Sequence, residues 1–395
     1  MLDAAHRDPG TMNGATARRR HLMHVFPSFQ MGGVPIRIAT IINRLGDRFR
    51  HTIVAMDDGY ACKARLDPEI EVGFASVVSS HYNLLRTLAG LRAVLRDADP
   101  DLLLTYNWGA IEWPLANLLS PVCPHLHFES GFGPEEADGQ IYRRALTRRV
   151  ALSRTRHVIV PSRTLMDIAT KVWRLNPRKL LYIPNGVDCH QFSAAPEPDI
   201  IPGFAKAPGE LIVGTAAPLR PEKNLGHLVR AFAPLTQDVK VRLLILGDGR
   251  ERAKLATLAE ELGIADKVLL PGHMDAVEKA LGWFDVFAMS SETEQMPNSL
   301  LQAMAAGLPA AATDVGDIKG IVAPENGPFV VPKSDTQALT GALARLLADP
   351  ALRGDLGQRN RERVRAHFAL DQMVEAYRTL FETACGAPGH VEAPR

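Results

Sequence analysis

The chain has 395 residues, more than one hydrophobic core usually fills, so we expect two domains. Its 46% hydrophobic and 23% charged residues are ordinary for a globular protein. With 45 Lys and Arg against 44 Asp and Glu, the formal net charge of +1 gives no global attraction to nucleic acid or to acidic membranes, and we expect no nucleic-acid partner.

The start of the chain and its cysteines indicate a cellular compartment. Residues 1–20 mix Asp, Arg, Pro and Gly without an apolar core, which predicts a disordered tail and no secretory signal peptide. The cysteines show no Cys-x-x-Cys spacing, as is typical of reduced cytosolic thiols. No uninterrupted apolar run reaches the roughly 18 residues that a membrane-spanning helix needs. These features together predict a cytoplasmic protein.

Short apolar runs alternate with helix-length segments from end to end. Buried strands that alternate with helices are typical of parallel sheets, so the pattern predicts an α/β fold. Periodicity stops at residues 194–203, where three prolines and a glycine interrupt it. We therefore predict a first domain at 21–194, a linker at 195–209, a second domain at 210–369 and a terminal helix at 370–385.

A turn with two adjacent glycines, Gly32 and Gly33, follows the first predicted strand. The helix after it is striped by Val34, Ile38 and Ile41. Because glycine has no Cβ, such a turn lets the backbone come close to a ligand across a cleft. An ordinary strand-to-helix turn explains the pair equally well, so both interpretations stay open.

A polar run in the first half contains candidate site residues. His125, His127 and Glu129 alternate along one predicted strand and therefore share one face. Glu129 is the candidate for a polar contact with a ligand, whereas His127 is a weaker candidate because a lone His on a strand is more often structural. A basic run follows in a predicted helix, and most such runs are solvated faces; its members are Arg143, Arg144, Arg148, Arg149, Arg154 and Arg156.

The loop from Gly214 to Asn224 places two cations, Arg220 and Lys223, between a strand and a helix for which Asn224 is a natural N-cap. Phosphate binds at such strand-to-helix junctions in α/β folds. Two cations beside unpaired N–H groups repel each other unless an anion lies between them, and a nucleotide diphosphate is the obvious candidate. A solvated loop with ordinary surface charges is the other interpretation.

A second strand-to-helix junction carries Glu294 just before the predicted helix and Gln302 one turn inside it. A carboxylate and an amide so placed can both reach a polyhydroxylated ligand whose phosphates bind the free N–H groups of Ser299 and Leu300. A capping carboxylate and an exposed Gln are the alternative.

Two other chemistries are not supported by the sequence. Gly247-Asp-Gly249 begins like a dinucleotide fingerprint, but Arg252 stands where the third glycine is required, so NAD binding is not expected. The run Asp97-Ala-Asp99-Pro-Asp101 offers an Asp-x-Asp of the kind that binds metal ions. It precedes a strand, at the end opposite the usual ligand crevice, and is interpreted as a solvated loop. We therefore predict no metal site.

Four motifs occur in a fixed order along the chain: Pro184-Asn-Gly-Val-Asp188, Arg220-Pro-Glu-Lys223-Asn, Leu246-Gly-Asp-Gly249-Arg, and Ser-Glu-Thr-Glu294 with Ala-Met-Ala-Ala-Gly307-Leu-Pro. In this order and spacing, almost the whole chain resembles the retaining glycosyltransferases of family 4. The resemblance implies the GT-B fold, in which two Rossmann-like domains face a cleft and a C-terminal helix crosses back to the first. It also implies a nucleotide-diphosphate sugar as donor substrate, a glycan or lipid-linked acceptor, and no cofactor.

The resemblance assigns roles to matching positions. Arg220 and Lys223 resemble the pair that neutralises the leaving diphosphate, and Glu294 resembles the first acid of the family's Glu-x7-Glu motif. Two positions depart from the family. Gln302 stands at the second acid, where an amide can still bind the ribose hydroxyls. Ser130 stands where many relatives have a His close to the reacting sugar, so the resemblance leaves the neighbouring Glu129 as the candidate for contact with the acceptor. Gly32 and Gly33 match the position of the family's glycine loop, which favours the ligand-binding interpretation of that turn.

The main functional prediction is retaining sugar transfer in bacterial-type polysaccharide or glycolipid synthesis. Because acceptors in this family are often membrane-linked, the resemblance adds a secondary hypothesis, namely peripheral contact of the basic run with the inner face of a membrane. The departures at Ser130 and Gln302 leave open a non-catalytic GT-B scaffold protein of polysaccharide assembly. A sugar-nucleotide epimerase or phosphorylase on the same architecture is a further alternative.

Overall fold

The computed structural model describes residues 18–77, 83–132, 136, 139–193 and 195–386. Residues 1–17 of the predicted tail and Ala194 at the predicted domain boundary lie outside this part of the chain. The described residues form two parallel sheets with helices packed on them, which confirms the predicted α/β class and its two Rossmann-like domains. No helix in the described ranges is both long and apolar enough to cross a bilayer.

The first sheet has seven strands in the order β3-β2-β1-β4-β5-β6-β7, and all its neighbours are parallel. The order reverses between β1 and β4, which opens a crevice at their carboxyl ends. Its strands are β1 (Arg20–Phe26), β2 (Phe49–Ala55), β3 (Val72–Ala75), β4 (Leu102–Tyr106), β5 (His125–Phe128), β6 (His157–Val160) and β7 (Leu180–Tyr182). The helices are α1 (Gly33–Leu45), α2 (Leu84–Ala98), α3 (Glu112–Ala116), α4 (Tyr142–Ala151) and α5 (Arg163–Lys171).

The second sheet has six parallel strands in the order β10-β9-β8-β11-β12-β13, with the corresponding reversal between β8 and β11. Its strands are β8 (Leu211–Ala216), β9 (Val241–Leu246), β10 (Val268–Gly272), β11 (Val286–Met289), β12 (Ala310–Thr313) and β13 (Val330–Val331). The helices are α6 (Leu225–Phe232), α7 (Arg252–Glu261), α8 (Asn298–Ala305), α9 (Ile318–Ile321), α10 (Thr336–Ala348) and α11 (Pro350–His367).

The last helix, α12 (Leu370–Ala384), packs on the first sheet although α11 belongs to the second domain. Met373, Tyr377 and Phe381 lie one turn apart and are buried in the core of the first domain. The crossing is fixed by a parallel bridge, in which Leu370 N donates to Val187 O at 2.9 Å. Any hinge motion between the domains must therefore change the backbone conformation of the segments around residues 187 and 369.

The segment at 195–209, predicted as a linker, has its own place in the second domain. Ile201 and Phe204 are buried in a core shared with Ile212 of β8. The ring of Phe204 also lies 4.9 Å from the Arg242 guanidinium and 5.9 Å from the ring of Trp283. The prolines interrupt helix and strand there, but apolar burial holds the chain against the sheet.

Candidate functional site

Two loops of the second domain meet at the carboxyl ends of neighbouring strands. Because β8 pairs with β11 in parallel, the loops that follow them lie side by side. The Lys223 ammonium of the first loop donates a hydrogen bond to Glu294 Oε1 of the second, and the Ser291 hydroxyl donates to the same oxygen at 2.9 Å. Only 20% of the Lys223 side chain and 11% of the Glu294 side chain are exposed, so solvent screens this ion pair weakly.

The backbone beside this ion pair is held by tertiary contacts. The Ser290 hydroxyl lies within hydrogen-bond distance of the Lys223 and Asn224 carbonyls, at 3.0 and 2.9 Å. Asn224 precedes α6, as predicted, but its side-chain amide binds the Glu292 carboxylate and does not cap the helix. A contact across the two loops thus replaces the local cap and fixes them to each other.

Arg220 lies apart from the Lys223–Glu294 pair. Its side chain is 63% exposed, and its guanidinium is 3.9 Å from the Glu222 carboxylate. The structure does not bring Arg220 to Glu294, so a role on the diphosphate stays a prediction.

The loop before Arg220 packs on Gly247, where φ is 148° and a Cβ would come within 1.9 Å of the Ala217 carbonyl oxygen. This close approach accounts for the glycine without a dinucleotide.

Helix α8 begins beside the ion pair. Its N–H groups at Ser299 and Leu300 have no acceptor among the described residues. Ser299 lines the same small pocket as Lys223 and Glu294. The Leu300 side chain is buried, so only the backbone N–H of Leu300 can contact a ligand. The half-buried Gln302 side chain makes no hydrogen bond within the part of the chain that the structure describes. The pocket therefore joins a cation, a carboxylate and unpaired N–H groups.

The glycine turn of the first domain reaches the same helix from the other side. A Cβ built on Gly33 would lie 3.7 Å from the side-chain nitrogen Nδ2 of Asn298, the first residue of α8. Gly32 has a φ of −176°, which is extended backbone that any residue adopts. The structure thus brings the turn to the cleft, although neither backbone strain nor a clash with α8 requires glycine there.

Glu129 is enclosed below the cleft. Its side chain is fully buried, Arg148 Nε of α4 donates to its carboxylate at 3.2 Å, and His127 Nε2 is 3.7 Å away. The predicted direct contact between Glu129 and an acceptor is not available in this arrangement, because the carboxylate does not reach the surface. The geometry indicates instead that Glu129 pairs with Arg148 and holds it in place.

Arg148 is the centre of a buried cluster that the sequence pattern did not reveal. Its guanidinium lies 4.9 Å from the ring centre of Trp108 and 4.7 Å from that of Trp173, and it also binds Glu136 at 3.1 Å. Burial raises the pKa of Glu136, but hydrogen bonds from Arg148 and Arg144 outweigh this effect and hold that pKa below its ordinary value. Arg144 and Arg148 lie one turn apart on α4, whereas Trp108 and Trp173 come from separate segments of the chain.

Above this cluster lies a pocket on the first-domain side of the cleft, lined by Trp108, Ser130 and Arg144 among others. A Cβ on the neighbouring Gly131 would lie 3.7 Å from the Gln295 side chain of the second domain, so the pocket opens at the domain interface. An indole and polar groups at such a place can receive a sugar-like acceptor. Ser130, the departure from the family pattern, accepts a hydrogen bond from Arg37, a contact that sequence reasoning missed.

Comparison with family models divides the chain as the two sheets do. Residues 31–191 match the model described as Glycosyltransferase Family 4, and residues 197–363 match that of Glycosyl transferases group 1. The order is that of the first and second domains.

Curated relatives include several sugar-transferring enzymes. The N-acetyl-alpha-D-glucosaminyl L-malate synthase of Bacillus anthracis is 33% identical over 162 residues, covering 41% of this chain and 42% of that protein. The lipopolysaccharide core biosynthesis glycosyltransferase LpsE of Rhizobium meliloti is 31% identical over 158 residues, covering 40% and 46% respectively. Each of these alignments spans less than half of the relative's length.

Among solved structures, Anabaena HepE in complex with UDP aligns over 92% of this chain and 100% of that one, with a TM-score of 0.78 at 18% identity. This likeness concerns the fold, which is the GT-B arrangement predicted from the motifs. The two family models together span most of the chain, in the order expected for such a fold. The chain therefore belongs to the family 4 glycosyltransferases.

Proposed function

We propose that this protein is a retaining glycosyltransferase that moves a sugar from a nucleoside-diphosphate donor to a hydroxyl group of a glycan or lipid-linked acceptor. The pocket in which Lys223, Glu294 and the start of α8 meet carries this proposal. An ammonium group and unpaired N–H groups suit a diphosphate, and a carboxylate suits sugar hydroxyls. Membership in the family supports the same class of reaction.

Donor binding exchanges one set of contacts for another. In the ligand-free pocket Lys223 and Glu294 compensate each other. A bound diphosphate accepts hydrogen bonds from Lys223 and from the N–H groups of Ser299 and Leu300, and the exposed Arg220 turns toward it. Glu294 is then available to a sugar hydroxyl, and Gln302 to the ribose.

Catalysis follows from where charge develops. As the bond between the anomeric carbon and the diphosphate oxygen breaks, negative charge grows on the diphosphate, and donors fixed at that place stabilise the transition state more than the ground state. The acceptor oxygen attacks from the face that the diphosphate leaves, which retains the configuration. Its bond to the anomeric carbon forms while its proton leaves with the diphosphate. The acceptor enters from the first-domain pocket beside Ser130 and Trp108.

The comparisons guide the choice of substrates. Solved structures of Anabaena HepE hold UDP or UDP-glucose, so uridine donors are the first to test. Relatives named for lipopolysaccharide core biosynthesis support a glycan or lipid-linked acceptor.

One exposed helix face supports peripheral contact with a membrane. On α4 the apolar side chains of Tyr142, Leu146 and Val150 are exposed at one-turn spacing. Arg143 and Arg149 are exposed beside them, whereas Arg148 turns inward. An apolar stripe flanked by arginines suits the headgroup region of an anionic leaflet. We place this contact at the inner face of the membrane, with the protein in the cytoplasm.

The first experiment measures donor binding by calorimetry with UDP-glucose, UDP-N-acetylglucosamine and GDP-mannose, followed by transfer and anomeric analysis of the product. Replacing Lys223 with Ala should lower turnover by roughly 100-fold or more, because it removes a donor that strengthens in the transition state. Lys206→Ala is the matched control: Lys206 is similarly buried and pairs with Asp285 at 2.7 Å, at the opposite end of the strands. Its turnover should stay within about threefold of the parent.

The outcomes separate the alternatives. Donor binding without turnover identifies a non-catalytic scaffold protein, and a changed sugar nucleotide formed without acceptor identifies an epimerase. An inverted product overturns the retaining assignment. Equal activity of the Lys223 and Lys206 variants would remove Lys223 from the mechanism.

A further inference from the structure

Arg37 is a charged residue on the apolar face of α1. It follows the glycine turn by one helical turn and stands between Val34, Ile38 and Ile41, which all face the core side. The residue is only 8% exposed. A cation in this position costs folding free energy unless its contacts compensate for the water it loses.

The guanidinium of Arg37 joins three segments of the chain. One terminal nitrogen donates to Ser130 Oγ, after β5, at 2.8 Å, and the other donates to Asn185 Oδ1, after β7. Arg37 also lies beside Tyr377 of α12: burial raises the pKa of the Tyr377 hydroxyl, and the nearby Arg37 charge opposes that rise. Arg37 therefore touches the acceptor-side pocket, the segment that leads into the second domain and the helix that returns from it.

The contact continues into the second domain. Asn185 Nδ2 donates to Asn298 Oδ1 at 2.9 Å and lies 3.0 Å from the Met296 carbonyl. Asn298 is the first residue of α8, and it is the residue that Gly33 approaches from the first domain. Through Asn185, Arg37 thus fixes the position of the glycine turn relative to the start of α8 on the other side of the cleft.

The charge of Arg37 is not balanced by an acid. No carboxylate lies within ion-pair distance of it in the described ranges, and its Nε is buried without a hydrogen-bond partner. Neutral oxygens compensate a buried cation only in part. An apolar side chain at this point of the helix would cost less folding free energy. The presence of an arginine therefore indicates a function beyond packing.

We propose that Arg37 is a positioning residue for sugar transfer, which sets the closed arrangement of the first domain over the donor pocket by way of Asn185 and Asn298. This inference rests on the proposed function. Every described residue that lines the donor pocket belongs to the second domain. Loss of Arg37 should therefore impair the chemical step while donor binding persists.

The test uses Arg37→Met and Arg37→Lys in the full chain, with Arg44→Met as matched control. Arg44 also lies on α1 and also reaches the domain crossing, through Asp188 at 3.0 Å and Asp371 at 3.4 Å, but it is exposed. We expect Arg37→Met to lower kcat at least about 30-fold while the donor Kd from calorimetry stays within about threefold. Arg37→Lys, which keeps one hydrogen bond, should recover about tenfold of that loss, and Arg44→Met should keep parental kcat.

Several outcomes would overturn the inference: an unchanged kcat in Arg37→Met, an equal loss in Arg44→Met, or a donor Kd that weakens as much as kcat falls. If the parent transfers no sugar, the proposed function fails, and Arg37 is then tested by small-angle scattering of the ligand-free protein. In that case Arg37→Met should increase the radius of gyration by about 0.5 Å or more relative to Arg44→Met, as hinge opening requires. Identical scattering of the two variants would refute the positioning role.

Discussion

Stability of the first domain should depend steeply on pH, because two neighbouring histidines are buried in their neutral form. His24 Nε2 lies 3.0 Å from His51 Nδ1, and His24 Nδ1 lies 2.9 Å from the Tyr106 hydroxyl. Burial, with a smaller contribution from the charge of His21, lowers the pKa of His51 from 6.5 to about 4. Burial and then the charge of His51 lower the pKa of His24 well below its ordinary value.

The sign and size of the effect follow from His51. Between pH 6.5 and about 4, the unfolded chain binds a proton at His51 that the folded chain does not, so the free energy of unfolding falls as the pH falls. Since one pKa unit corresponds to about 1.4 kcal/mol, His51 alone should remove about 2 kcal/mol between pH 7 and pH 5. By about pH 4 the loss should approach roughly 3 kcal/mol, and above pH 6.5 the contribution is complete.

The measurement is urea unfolding at pH 7, 6 and 5 of the parent and of His51→Asn, whose amide oxygen can still accept a hydrogen bond from His24. The variant should lose about 2 kcal/mol less than the parent over this range. His273→Asn is the control, because the His273 side chain is 69% exposed and its removal should leave the profile unchanged. Parallel profiles for the parent and His51→Asn would refute the reasoning.

The fold was accessible from sequence because its signals are local. Apolar runs such as β4, which is buried at every position, cannot be surface strands, and alternation with helix-length segments leaves few arrangements other than parallel sheets. What local patterns could not give is the packing of residues 195–209. Prolines there indicated an interruption, but burial of Ile201 and Phe204 depends on a core assembled from distant strands.

The site was accessible in part for a topological reason. Lys223 and Glu294 are far apart in sequence, yet each follows a strand, and the carboxyl ends of adjacent parallel strands must meet. Strand alternation likewise placed His127 and Glu129 on one face. It could not say what covers that face, and the covering residue is Arg148 from α4.

The long-range contacts of Arg37 lay beyond sequence reasoning. Arg37 meets Asn185 across 148 residues and Ser130 across 93 residues, with no period or motif to connect them. The one available signal was a cation inside an apolar helical stripe, which breaks the local pattern. Such breaks are where functional and strained positions concentrate, so this one pointed to a tertiary contact of the kind the structure contains.

Three further perturbations test separate parts of the structure. Gln302→Glu should tighten donor binding about fivefold in calorimetry, because a carboxylate accepts hydrogen bonds from ribose hydroxyls more strongly than an amide does; unchanged or weaker binding would place Gln302 away from the ribose. Leu146→Glu should reduce sedimentation with phosphatidylglycerol vesicles about tenfold, since it puts a charge into the exposed apolar stripe of α4, whereas Leu262→Glu, on an exposed position of the second domain, should sediment like the parent. Arg148→Met should lower the free energy of unfolding by about 3 to 5 kcal/mol, because it leaves the carboxylates of Glu129 and Glu136 buried without their shared cation. A loss below about 1 kcal/mol in urea unfolding would mean that the aromatic rings around Arg148, and not its charge, hold the cluster together.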